Sequence, residues 1–141
     1  MGRCHEPLRI SGVADAVATA FGLRGRFPHA HGAAMLDGDG VVLDLTVFTR
    51  HNHSISDALG WAGCFMANHG RAKRIVLLSA VESGVGDELR EADLETLRSA
   101  RRRFGEAGVL VIDWLQCDGH QVRSLDFAAD GEGWRQASSV A

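Results

Sequence analysis

The sequence of 141 residues is poor in several residue types that would indicate a particular class of protein. It has no tyrosine, two prolines and three cysteines, and no two cysteines form a Cys-x-x-Cys pair. Neither a zinc ribbon nor a disulfide scaffold is therefore supported. No apolar run reaches the roughly 18 residues of a membrane span. From these absences we expect a reduced, cytoplasmic protein with no membrane partner.

The bulk composition is that of an ordinary globular domain. A net charge of −3 gives no basic excess for binding nucleic acid. Hydrophobic residues make up 45% of the chain, and a domain of this length buries roughly 68% of its unfolded surface. The chain therefore has enough apolar surface to fold without a metal ion or a disulfide.

The hydrophobic periodicity predicts the order helix, hairpin, helix, strand, helix, strand, strand. Asp-Gly repeated over 37–40, between two apolar runs, is a strong hairpin signal. This order predicts an α/β fold in a single three-layer domain, with a mixed central β-sheet and helices on both faces. The predicted elements are helices over 11–22, 54–70 and 91–106, hairpin strands over 33–36 and 41–48, and further strands over 75–78, 109–115 and 120–127.

The two ends of the chain carry weaker patterns. We expect residues 1–10 to form an N-terminal arm, residues 11–127 the single domain, and residues 128–141 a polar, frayed C-terminal tail. Trp134 is the only large aromatic residue in that tail. It is a candidate to dock on this domain or on a partner.

Short motifs between residues 33 and 127 match a known family. They are Met35-Leu36-Asp37, Ile75-Val76-Leu77-Leu78, Ser83-Gly84, Asp93 with Leu97, and Val111-Ile112-Asp113 followed by Asp118-Gly119. On these residues the chain resembles the RadC branch of the JAB/MPN (JAMM) domain family. The resemblance covers about two-thirds of the chain and implies a JAB/MPN-like, cytidine-deaminase-like architecture.

The metal motif of this family is degenerate here. The resemblance puts the two zinc-binding histidines on Ser79 and Val81, the proline on Glu82 and the serine on Ser83. Asp93 alone is left as a ligand of the family's type. Because zinc needs three protein ligands, we expect these to be vestigial site positions that hold no cofactor. We therefore expect a catalytically inactive domain that binds a protein partner or a second copy of itself.

Two other hypotheses stay open at this point. His29, His31, His51 and His53 form two His-x-His pairs near one end of the hairpin, and could hold zinc in a metal-dependent hydrolase with relocated ligands. Ordinary loop histidines are the simpler alternative. Arg98 and 101–103 form a basic stripe that could serve a nucleic-acid-binding accessory protein, although such a stripe is typically a solvated helix face.

Overall fold

The computed structural model is a five-stranded sheet with helices packed on it. It describes residues 8–49, 53–81 and 90–138. The elements are, in chain order, α1 (Val13–Arg26), β1 (Ala30–Leu36), β2 (Val42–Thr49), α2 (Ile55–Asn68), β3 (Arg74–Ala80), α3 (Glu91–Gly105), β4 (Leu110–Cys117), β5 (Val122–Ser124), α4 (Leu125–Ala129) and α5 (Glu132–Ser138).

The sheet is mixed, with the strand order β2-β1-β3-β4-β5. β1 lies antiparallel to both β2 and β3, and β5 lies antiparallel to β4. Only β3 and β4 are parallel, and α3 lies in the crossover connection that a parallel pair requires. The predicted α/β class with a mixed sheet is confirmed.

The hairpin between β1 and β2 turns on the Asp-Gly repeat. The Asp37 carboxylate accepts two backbone N–H bonds from within the turn, at 2.8 and 3.0 Å. Gly40 has a φ of +86°, and a Cβ added there would lie 2.7 Å from the Ile10 carbonyl oxygen. Both facts require glycine. The predicted hairpin is confirmed, although β1 begins at Ala30 rather than at residue 33.

The sheet carries a hydrophobic core on each face, because alternate residues of a strand point to opposite sides. Leu77 packs on the face covered by α2 and α3, together with Leu97. Leu78 packs on the opposite face, against Leu23 of α1 and Trp134 of α5. Helices therefore cover both faces, as the three-layer prediction requires.

The first helix extends beyond its predicted end at Gly22. α1 continues to Arg26, and Leu23, which is 6% exposed, belongs to the buried face of the added turn. Burying a leucine is worth about 1.5–3 kcal/mol. A glycine inside a helix costs only about 1 kcal/mol. Burial thus outweighs the helix-ending tendency on which the prediction depended.

The prediction of a frayed tail over 128–141 is wrong for the part of it that the structure describes. β5 is shorter than the strand predicted over 120–127, and α4 and α5 follow it. Trp134 is 5% exposed and packs in the core beside α1. At the other end, Ile10 is 1% exposed. The folded body therefore extends past both predicted boundaries.

Candidate functional site

The carboxyl ends of β3 and β4 bring together the positions that the family resemblance assigns to zinc. Ser79 lies beside His31 of β1 on one side and Gln116 of β4 on the other. Its hydroxyl oxygen is 2.6 Å from His31 Nδ1 and 2.7 Å from Trp114 Nε1. Ser79 and Trp114 are 2% and 4% exposed, so this polar group is enclosed by protein.

The indole fixes the direction of one of these hydrogen bonds. Trp114 Nε1 can only donate, so Ser79 Oγ accepts from it. With a neutral imidazole protonated on Nε2, the serine hydroxyl donates its own proton to His31 Nδ1. With a charged imidazole, Ser79 accepts from both rings. In either state the Ser79 oxygen makes two hydrogen bonds inside the protein.

Val81 directly follows the last residue of β3 and has no ligand atom in its side chain. Its backbone is held on both sides: its N–H donates to the Cys117 carbonyl at 2.8 Å, and its carbonyl accepts from Arg24 Nε at 3.0 Å. The vestigial positions Glu82 and Ser83 lie outside the described residues.

Asp93 lies in the first turn of α3, where a carboxylate suits the helix dipole. Its Oδ2 accepts a hydrogen bond of 3.0 Å from Gln116 Nε2, and Gln116 is 8% exposed. The side-chain amide of a β4 residue is therefore a hydrogen-bond partner of this carboxylate.

These positions do not fit a hydrolytic zinc ion. Zinc takes nitrogen, oxygen or sulfur ligands from three protein side chains and leaves a fourth position for water. Val81 offers none, the Ser79 hydroxyl is already held by two rings, and Asp93 is a single carboxylate. Within 8–49, 53–81 and 90–138, no three His, Cys, Asp or Glu side chains are placed to hold a metal ion.

The two His-x-His pairs are only partly described. His29 and His31 flank the first residue of β1, and His53 precedes α2. His53 lies edge-on to the Phe48 ring at 5.3 Å between centroids, and its Nδ1 is 3.4 Å from Asp57 Oδ2. His51 lies outside the described residues. The four-histidine site therefore stays a prediction.

A second polar cluster, which sequence reasoning missed, joins β4 to the C-terminal helices. Asp113 is fully buried, and its carboxylate accepts from the Trp114 and Asp126 backbone N–H groups at 2.7 and 2.9 Å. Its other oxygen accepts from Ser124 Oγ at 2.6 Å and Trp134 Nε1 at 2.7 Å. Burial raises the pKa of Asp113, and these hydrogen bonds oppose the rise.

Asp126 completes this cluster as a second fully buried carboxylate. It accepts from the Gly133 and Trp134 backbone N–H groups at 2.8 and 3.0 Å, and from the Arg101 guanidinium. Arg101 also donates to two β4 carbonyls. The sequence carried a signal for this cluster, namely Asp113 inside the apolar run of β4. An aspartate that is buried in such a strand requires hydrogen-bond partners.

The arginines of α3 do not form a uniformly solvated stripe. Arg98 lies 3.0 Å from Glu91 and 3.5 Å from Glu95, and Arg102 lies 3.7 Å from Glu95. Arg101 instead turns inward to the buried Asp126 carboxylate and is 20% exposed. The expectation of a solvated face is wrong for Arg101, and acidic neighbours reduce the positive field of Arg98 and Arg102.

Comparisons with known proteins add no further assignment. No family model, no curated protein and no solved structure matches this chain. In the described part of the chain, no helix is both long and apolar enough to cross a membrane.

Proposed function

We propose that this chain is a RadC/JAB-like domain that has lost its zinc ligands and acts as a protein-interaction or scaffold module. The observation that carries the proposal is the closed environment of Ser79. Its hydroxyl is hydrogen-bonded by His31 and Trp114 at the strand end where the family resemblance requires a metal-binding histidine. A serine hydroxyl held by two rings does not supply the ligand that a zinc hydrolase needs at this position to bind its ion and activate a water.

The framework supports the resemblance. A hairpin, a helix, a strand, a helix and two further strands follow one another from β1 to β5 on a mixed sheet. Ser79 and Val81 lie at the carboxyl end of β3, a strand in a parallel pair, which is where open α/β sheets place ligands. These features support the proposal of a site framework without the family's metal-binding side chains.

The outer edge of β2 is the surface that best suits an interaction. The start of this edge is covered, since Ile10 N–H donates to the Gly40 carbonyl and Val42 N–H to the Leu8 carbonyl, each at 2.8 Å. Over 43–48, no described residue hydrogen-bonds to that edge. The strand also lacks the lysine, arginine or proline that commonly protects an edge from pairing.

A second copy of this chain is the partner that fits the edge. Antiparallel pairing of β2 with itself about a two-fold axis is self-complementary and would join two five-stranded sheets into one. Leu45, which is 36% exposed, and the half-buried Val47 share one face of the strand. They add apolar surface beside the backbone hydrogen bonds.

Metal analysis of protein purified without a histidine tag tests the inactive-domain part of the proposal. We expect far less than one zinc ion per chain and no peptidase activity. About one tightly held zinc per chain, together with peptidase activity, would contradict the proposal.

Light scattering coupled to size exclusion tests the interaction part. We expect the wild type to form a dimer, Leu45→Lys to be monomeric because like charges meet across the two-fold axis, and Phe127→Lys to stay dimeric. Phe127 is a matched control because it is exposed (57%) and lies on α4, away from β2. A monomeric wild type, or loss of the dimer in both variants, would argue against pairing through β2.

A further inference from the structure

A cleft of about 420 Å³ opens between the C-terminal ends of α2 and α3, at the end of the sheet opposite Ser79. Its floor is apolar and its rim is cationic. The floor is formed by Met66, Phe104 and Val109, and the rim by His69, Lys73 and Arg103. The volume lies within the range of small-molecule sites, roughly 300–1,000 Å³.

Two full positive charges on this rim have no counter-ion among the described residues. Neither Lys73 nor Arg103 has an acidic side chain within ion-pair distance among the described residues. No aspartate or glutamate lines the cleft. The other arginines of α3 differ, because Arg98, Arg101 and Arg102 all lie near carboxylates.

His69 adds an unsatisfied polar atom to the same rim. Its ring stacks on Phe65 at 5.0 Å between centroids. Its Nδ1 atom is buried and has no hydrogen-bond partner among the described residues. A buried ring nitrogen without a partner is costly, so His69 would gain a hydrogen bond if its ring turned toward an acceptor in the cleft.

The partial negative charges at the C-terminal ends of α2 and α3 do not neutralise Lys73 and Arg103. Each helix C-terminus carries roughly half a unit of negative charge, so two helix ends offset about one of the two positive charges. The turns at these ends already use the carbonyls: Met66 O accepts from His69 N–H, and Phe104 O accepts from Ala107 and Val109 N–H. A net positive charge therefore stays at the rim, above an apolar floor.

We infer that this cleft binds a small organic carboxylate with an apolar body. The carboxylate lies between Lys73 and Arg103 and the apolar body rests on Phe104 and Met66. The site is independent of the proposed interaction role and lies away from β2. A failure to bind the carboxylate would therefore leave the proposed pairing through β2 untouched, and a failure of that pairing would leave the cleft untouched.

A titration of the labelled protein with 3-phenylpropanoate, followed by amide NMR at neutral pH and low salt, tests the site. We expect saturable shifts around the cleft residues with the acid, and much weaker binding of 3-phenylpropanamide, which has the same shape without the charge. Lys73→Gln and Arg103→Gln should each weaken binding about tenfold, since each removes one charged hydrogen bond.

Arg102→Gln is the matched control, because Arg102 is exposed on the same helix and does not line the cleft. Its affinity should stay within about twofold of the wild type. Equal binding of the acid and the amide would overturn the inference. So would an equal loss of affinity in Arg102→Gln, or the absence of any saturable shift in the folded wild type.

Discussion

Trp134→Ala is expected to destabilise the protein by about 4–6 kcal/mol. Trp134 is 5% exposed, and removing a buried tryptophan side chain costs about 3–5 kcal/mol. Its Nε1 also donates a 2.7 Å bond to fully buried Asp113, and losing that donor adds about 1 kcal/mol. Because a domain is typically stable by only about 5–15 kcal/mol, this variant should lose at least about a quarter of its stability at 25 °C.

Urea unfolding followed by far-ultraviolet circular dichroism measures this effect. Trp61→Ala is the matched control, since Trp61 is 46% exposed and its loss should cost less than about 1 kcal/mol. Trp134→Phe keeps most of the packing and removes the N–H donor, so its cost should lie between the two. If Trp134→Ala were no less stable than Trp61→Ala, the packing of the C-terminal helix as part of the core would be refuted.

Three further predictions concern the polar groups. Ser79→Ala should lower the free energy of unfolding by about 1–3 kcal/mol in the same assay, because the buried indole N–H of Trp114 loses its acceptor. Arg101→Gln should cost about 3–5 kcal/mol, because it leaves the buried Asp126 carboxylate without its cation. Asp113 has a pKa raised above its ordinary value of 3.8, chiefly by burial. Between pH 3.8 and the raised pKa, Asp113 keeps its proton in the native state and has released it in the unfolded chain. Binding of this proton stabilises the native state, and that contribution is lost as the pH rises through the same window. The free energy of unfolding of the wild type should therefore rise relative to that of Asp113→Asn as the pH falls from about 7 toward about 4.

Each of these predictions has an outcome that counts against it. An unchanged midpoint for Ser79→Ala would mean that the indole finds another acceptor. If Arg101→Gln lowered the free energy of unfolding no more than Arg102→Gln does, the Arg101–Asp126 ion pair would not stabilise the fold. A stability difference for Asp113→Asn that narrows on acidification would show that the pKa of Asp113 is shifted in the opposite direction.

Local sequence signals predict the parts of this fold that local forces determine. The Asp37-Gly38-Asp39-Gly40 repeat predicts the hairpin because the turn needs a positive φ at Gly40. The apolar runs of β3 and β4 predict interior strands because both of their faces are buried. The prediction fails where distant contacts decide, as in α1, which continues past Gly22 because Leu23 is buried.

The candidate site and the C-terminal segment also depend on contacts between residues that are distant in the sequence. The histidine that bonds Ser79 is 48 residues away in the chain, and no local pattern pairs the two. The segment 128–141 is polar in sequence, yet Trp134 is buried, because its backbone N–H donates to Asp126 and its indole N–H donates to Asp113. Composition predicts a tail there, whereas the hydrogen bonds to Asp113 make it part of the fold.

The indole resonance of Trp114 tests the central claim most directly, because Trp114 Nε1 donates to Ser79, the serine at a position that the proposed family relationship assigns to a zinc ligand. The resonance is assigned with Trp114→Phe and followed in NMR spectra while zinc is added to protein purified without a tag. We predict that it stays at its position through several equivalents of zinc. A shift or broadening of the Trp114 indole that saturates at one zinc ion per chain would contradict the account.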